Sequence, residues 1–209
     1  MNPLTRAAAR LLAPLMLAFL AVGSAQALAA ETDPNAPVML LATPQLADPV
    51  FGQTVLLTAP LKEGARIGVI INRPTEHPMD TLFPDHQVLS TIKDPVYFGG
   101  PMLPEVMFVL VRSDTDPGQG SLKVGNGLYL ALSAPVIEKI LKEEPKKARC
   151  YIGSVLWQAG ELDEQIKEGA WSVVQPDNDM IFSASPENLW ESLQTKSKLV
   201  TADAGAYAR

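Results

Sequence analysis

The sequence predicts an α+β fold built on an antiparallel or mixed sheet. Apolar, β-rich runs follow one another with only turn residues between them, as hairpins require. Helix-period stripes are few, and most fall in the second half of the chain. A regular alternation of strand and helix, the mark of a parallel α/β sheet, is absent.

The elements can be taken in order. Val38–Thr43 and Val50–Ala59 read as strands separated by a turn from Pro44 to Pro49. Arg66–Asn72 is a third strand, ended by Pro74, and Val96–Gly99 a short fourth. Val106–Ser113 is apolar on both faces, the pattern of a central strand. Leu128–Leu132, Arg149–Leu156 and Trp171–Gln175 complete the set. One helical turn is expected at Met79–Phe83. In Ser133–Glu144 a Ser133 cap precedes Pro135, and Val136, Ile137, Ile140 and Leu141 form one apolar stripe. In Glu161–Glu168, Leu162 and Ile166 share a face and Gly169 stands where a helix ends. Pro186–Thr195 has Ser185 as cap, Pro186 in its first turn, and Leu189, Trp190 and Leu193 facing inward.

Composition narrows the function classes. The 209 residues are 47% apolar and 19% charged, which excludes collagen, a coiled coil, a disordered tail and a multipass membrane protein. A single cysteine, Cys150, excludes an intrachain disulfide framework and multi-cysteine metal sites. At the N-terminus, Arg6 and Arg10 precede the apolar run Leu11–Val22 and the small residues Gly23–Ala27. That is the pattern of an export signal, and the run is too short to span a bilayer. The expected organisation is a signal peptide over 1–27, a linker over 28–37, one domain over 38–195 and a frayed tail over 196–209. The expected location is the bacterial periplasm, with no stable membrane span once the signal is cleaved.

Losing residues 1–27 removes two arginines and no acid, so the net charge moves from −6 to −8. Such a body has no electrostatic reason to grip nucleic acid. Lys142, Lys146, Lys147 and Arg149 form a basic cluster flanked by Glu143 and Glu144, which reads as a solvated face.

Nothing in the residues fixes a reaction. His77 and His86, with Glu76, Asp80 and Asp85, are metal-ligand types, but a proline-rich loop explains them without a metal. Gly153-Ser154 lacks the second glycine of a nucleophile elbow. Cys150 beside Arg149 could be a reactive thiol or pair between chains, although burial is the usual state of a free cysteine. Asp177 and Asp179 lie in a turn, and Glu161, Asp163 and Glu164 open a helix, where acids favour the dipole. Gly99-Gly100-Pro101 reads as a backbone corner needing positive φ. No catalytic residue, metal or cofactor is expected.

Several motifs share an order: Leu40–Phe51 (LLATPQLADPVF), Gly68–Pro74 (GVIINRP), Val96–Pro101 (VYFGGP), Trp157-x-x-Gly160-x-Leu162, Trp171 and Asp179–Phe182 (DMIF). Together they resemble the bacterial YqgE/AlgH family over residues 38–194. The resemblance implies a bifurcated sheet wrapped into a pseudo-barrel, no established activity, and a transcriptional-regulator label without a DNA-binding motif. The shared positions are Pro44, Asp48, Pro49, Phe51, Asn72, Arg73, Pro74, Gly99, Gly100, Pro101, Trp157 and Gly160. Leu156, Gly169-Ala170, Phe182-Ser183 and the export signal depart from the family pattern.

Within that set, Arg73 presents a fork of donors suited to carboxylate or phosphate. Asp48, in a Pro-bounded turn, is its most attractive partner within the chain, so one reading is an Arg–Asp clasp between two turns. The other is an anion pocket at the Arg73/Gly99-Gly100 corner. The candidate ligand-binding residues are Asp48, Asn72, Arg73, Gly99, Gly100 and Trp157. They would serve a non-enzymatic exported domain whose partner is an unidentified protein or a small anion; the alternatives are the regulator role, with the cytoplasmic location the resemblance implies for typical members, and a hydrolase or metalloenzyme using His77 and His86.

Overall fold

A computed structural model of the chain describes residues 36–175, 178–182 and 185–196. The expected signal peptide, most of the linker, Asp177 and the tail beyond Lys196 lie outside the described residues.

The first six strands are β1 (Val38–Ala42), β2 (Val55–Pro60), β3 (Arg66–Ile70), β4 (Pro74–Pro78), β5 (Pro95–Phe98) and β6 (Met102–Arg112). The rest are β7 (Ser121–Gly125), β8 (Leu128–Ala131), β9 (Ala148–Trp157) and β10 (Trp171–Val174). Helices are α1 (Met79–Leu82), α2 (Ala134–Glu143), α3 (Glu161–Lys167), α4 (Asn178–Ile181) and α5, residues 189–196. The main sheet runs β10-β1-β2-β3-β9-β6-β8-β7, with β4 and β5 branching from it. Every pairing is antiparallel except β5 with β9.

The fork is at β9. One edge of this strand pairs with β6 along its length. The other edge is shared: Tyr151 and Ile152 pair with β5, while Val155–Trp157 pair with β3. Between these registers Gly153 adopts φ 78, a conformation that lets the strand turn from one partner to the next. The expected bifurcated α+β sheet is therefore what forms. It also curls, since Val124 of β7 shares a buried cluster with Val55 and Leu57 of β2.

Each face of the sheet is covered according to its pattern. Met39, Leu41, Phe108, Leu110 and Tyr151 fill the inside of the curl. The stripe Val136, Ile137, Ile140 and Leu141 seats α2 on Val109 and Val111. Trp157, Leu162 and Trp171 close a third cluster.

The structure corrects several expectations. Residues 50–54 are a turn, and β2 begins only at Val55. β4 lies between two prolines, an irregular strand with a register shift that tolerates missing donors. β7, absent from the strands expected from sequence, lies among Gly120, Gly125 and Gly127. Ser133 precedes α2, but its hydroxyl donates to the Gln119 carbonyl instead of capping the helix.

Candidate functional site

The site is built on the segment from Thr43 to Thr54. Asp48 Oδ1 accepts hydrogen bonds from the backbone amides of Val50 at 2.7 Å and Phe51 at 2.8 Å. The Gly52 amide donates to the Asp48 carbonyl at 2.8 Å, and a β-carbon at Gly52 would lie 2.7 Å from that oxygen. Only glycine fits there. Gln53 then takes φ 58, which turns the chain into β2.

Two residues after β3 hold this turn. Asn72 is 5% exposed; its Oδ1 accepts from the Val55 amide at 2.8 Å and its Nδ2 donates to the Gln53 carbonyl at 3.0 Å. Arg73 Nη2 donates to the Gly52 carbonyl at 3.0 Å. From the far side α5 closes the site, with Trp190 Nε1 donating to the Ala42 carbonyl at 2.7 Å. The result is a cleft of about 470 Å³ whose walls include Thr43, Asp48, Gly52, Gln53, Arg73 and Trp190.

The expected Arg73–Asp48 ionic clasp does not form. The Asp48 carboxylate turns into its own loop to satisfy two backbone amides, and Arg73 bonds a carbonyl instead. Among the described residues the Arg73 side chain makes no other hydrogen bond or ion pair. The cleft thus presents a guanidinium with N–H groups to spare and a carboxylate edge on a common wall.

Gly99 and Gly100 are brought near Arg73 only through the backbone, where the Phe98 amide donates to the Arg73 carbonyl at 2.9 Å. The Gly99 amide is spent on the Ile152 carbonyl at 2.8 Å. β-carbons at Gly99 and Gly100 would lie 2.2 Å and 2.3 Å from the carbonyl oxygens of Gly153 and Ser154. This pair packs two chain segments together and does not line the Arg73 cleft. Trp157 is also elsewhere: it is 3% exposed and donates its indole N–H to Gln165 Oε1 at 3.0 Å, an oxygen shared with Trp171 Nε1 at 2.9 Å.

The other candidates have structural partners. His86 is exposed, and its Nδ1 accepts from the Val88 and Leu89 amides. Asp80 is held below the ordinary carboxylate range by its bond to Lys93. Among the described residues no three metal-ligating side chains converge. Cys150 is 5% exposed and its thiol is pushed up to about 12 by burial, so neither the reactive-thiol reading nor pairing between chains fits. Arg149 leaves the basic face; it bonds the Ile181 carbonyl at 2.6 Å and lies over the rings of Tyr97 and Phe182. The remaining lysines do form a solvated face, with Lys142 on Glu138 and Lys147 on Glu144.

Gln53 and Trp190 line the cleft but were not among the candidates from sequence. Gly52-Gln53 after Asp48 carries a turn signal, whereas Trp190 has the spacing of a core residue and nothing local marks it as a cleft wall.

The AlgH-like family model (DUF179) matches residues 39–199. A UPF0301 protein of Paraburkholderia phymatum is 32% identical over 175 residues, covering 79% of this chain and 92% of that protein. A UPF0301 protein of Burkholderia cenocepacia is 32% identical over 180 residues. Among solved structures, the AlgH protein of Pseudomonas aeruginosa superposes with TM-score 0.62 at 29% identity, covering 79% of this chain and 92% of that one. A Corynebacterium diphtheriae protein reaches TM-score 0.63 at 18% identity, covering 78% and 86%, which extends the likeness in fold alone.

Proposed function

The chain belongs to the AlgH-like family, and from that premise we propose that it is an exported binding domain that takes a small carboxylate- or phosphate-bearing ligand in the Arg73 cleft. A partner protein would be recognised by the same chemistry, through an acidic side chain placed in the cleft. The observation that carries the reading is the state of Arg73. Its guanidinium is fixed by one bond to the Gly52 carbonyl, on the wall of a cleft of about 470 Å³. A planar fork held in place loses little entropy when it bonds a two-oxygen anion. Asp48 borders the same space and disfavours anions that lack a donor of their own, which favours ligands carrying both an acid and a hydroxyl or amine. Asn72 positions Arg73 by tying the turn to the end of β3.

Export is supported by the arrangement of Arg6, Arg10, Leu11–Val22 and Gly23–Ala27. The regulator alternative needs a nucleic-acid surface, and Lys142 and Lys147 of the basic cluster are engaged by acids. Among the described residues no helix is long and apolar enough to cross a membrane.

The test is thermal unfolding of the purified protein with inorganic phosphate, malonate or serine. At least one is expected to raise the midpoint of the wild type and leave Arg73→Gln unmoved. No shift with any of them, or equal shifts in both proteins, overturns the cleft. Mass spectrometry of the N-terminus after expression in a Gram-negative host checks export, with an end between Leu28 and Glu31 expected and an intact Met1 counting against it.

A further inference from the structure

A second pocket, of about 360 Å³, lies between β6 and α2 and shares no lining residue with the Arg73 cleft. Its walls are Val88, Leu89, Val106, Met107, Ile137 and Leu141, and its rim carries His86, Glu105 and Glu138. An apolar chamber of that size with a few polar groups at its mouth has the make-up of a small-ligand site.

One wall of the pocket is an irregularity in the sheet. Met102 pairs with Ser154 and Met107 with Ile152, so five steps along β6 oppose two along β9. The surplus is thrown out as a bulge, in which Leu103 sits at φ 51, unfavourable for a residue with a β-carbon. Met102, Leu103 and Val106 are 47%, 43% and 37% exposed on it. Bulges of this kind re-aim side chains beside sites, and this one turns Glu105 and Val106 to the mouth of the pocket.

The charges at the mouth are uneven. Glu138 is engaged by Lys142 at 2.6 Å. His86 Nδ1 is occupied by the backbone amides of Val88 and Leu89, both at 3.3 Å. The Glu105 side chain has no hydrogen bond or ion pair among the described residues. Glu105 is therefore the mouth's carboxylate without an ion-pair partner, above an apolar floor. We infer that this pocket binds a small amphiphilic cation, with its apolar body against Ile137 and Leu141 and its ammonium-type head at Glu105.

Calorimetric titration of the full-length protein with decyltrimethylammonium and with decanoate, both below micelle-forming concentrations, tests the assignment. The two probes share a tail length and differ in head charge. Saturable binding of the cation at one site is expected, tighter than that of decanoate. Glu105→Gln should weaken the cation about two- to fivefold, as loss of one partly exposed charge pair does, without changing decanoate binding. Val106→Arg should abolish cation binding, and Arg73→Gln should leave it intact. The exposed positions of Glu105 and Val106 let both variants fold, which an unchanged unfolding midpoint verifies. Equal binding of both heads, no saturable binding, unaltered affinity in Glu105→Gln and Val106→Arg, or loss of binding in Arg73→Gln overturns the inference.

Discussion

Gly100 and Gly153 cross backbone to backbone, so closely that a β-carbon on Gly153 would lie 2.1 Å from the Gly100 carbonyl oxygen. This contact stands at the point where β9 exchanges β5 for β3 as its neighbour, and Gly153 meets it at φ 78. Gly153→Ala therefore combines an unfavourable φ with a clash against backbone that has no rotamer to escape into. The expected loss is about 3 kcal/mol or more, measured by urea unfolding. A loss under about 1 kcal/mol would mean the fork can relax around a methyl group.

Asn72 supports a different contention, that the Arg73 cleft rests on one buried amide. Asn72→Ala strands the Val55 amide and the Gln53 carbonyl, and at about 1–3 kcal/mol for each group left unsatisfied, a loss of about 2–6 kcal/mol is expected. Asn72→Asp keeps the acceptor for Val55 but aims a carboxylate at the Gln53 carbonyl oxygen. Its acid form is favoured in the folded protein, so this variant should gain stability as pH falls, where Asn72→Ala should not. Unfolding curves at pH 7 and pH 5 separate the two.

What the sequence made legible follows from these same places. Strands with their own apolar signal, such as Val38–Ala42 and Arg66–Ile70, stand within a residue or two of their expected bounds. The glycine corner at Gly99-Gly100 was also readable as a backbone requirement, and Gly100 does take φ 148. Its consequence was not readable, because the partner surfaces, Gly153 and Ser154, lie some fifty residues away. The Arg73–Asp48 clasp failed for a related reason: charge complementarity was visible in the letters, while the competing demand of the Val50 and Phe51 amides arises only once the turn is folded. β4 was hidden by its prolines and β7 by its glycines, since each is held by its neighbour and not by its own propensity.

Gln165 explains why Trp157 and Trp171 stay where they are. One amide oxygen accepts both indole N–H groups, at 3.0 Å and 2.9 Å, among rings that are 3% and 5% exposed. Gln165→Ala leaves two buried donors without a partner and should cost about 2 kcal/mol or more. The tryptophan emission maximum should move to longer wavelength as water enters. If stability and emission both match the wild type, the shared acceptor is dispensable.

The alkaline limb of the stability curve should report on Cys150 and Tyr151. Burial pushes the Cys150 thiol up to about 12 and raises the Tyr151 phenol as well. In the unfolded chain a thiol ionises near ~8.5 and a phenol near ~10. Above pH ~8.5 the folded protein therefore holds more protons than the unfolded one, and stability must fall as pH rises. The slope is about 1.4 kcal/mol per pH unit while only the thiol titrates in the unfolded chain. Below that range the full contribution is present, and it is lost progressively toward pH 12. Unfolding free energies measured between pH 8 and pH 10 should show this decline in the wild type, with a shallower one in Cys150→Ala, whose remaining alkaline slope begins near the phenol. Parallel slopes in the two proteins, or rapid labelling of the native thiol by a disulfide reagent at pH 8, would show that Cys150 meets water in the folded state.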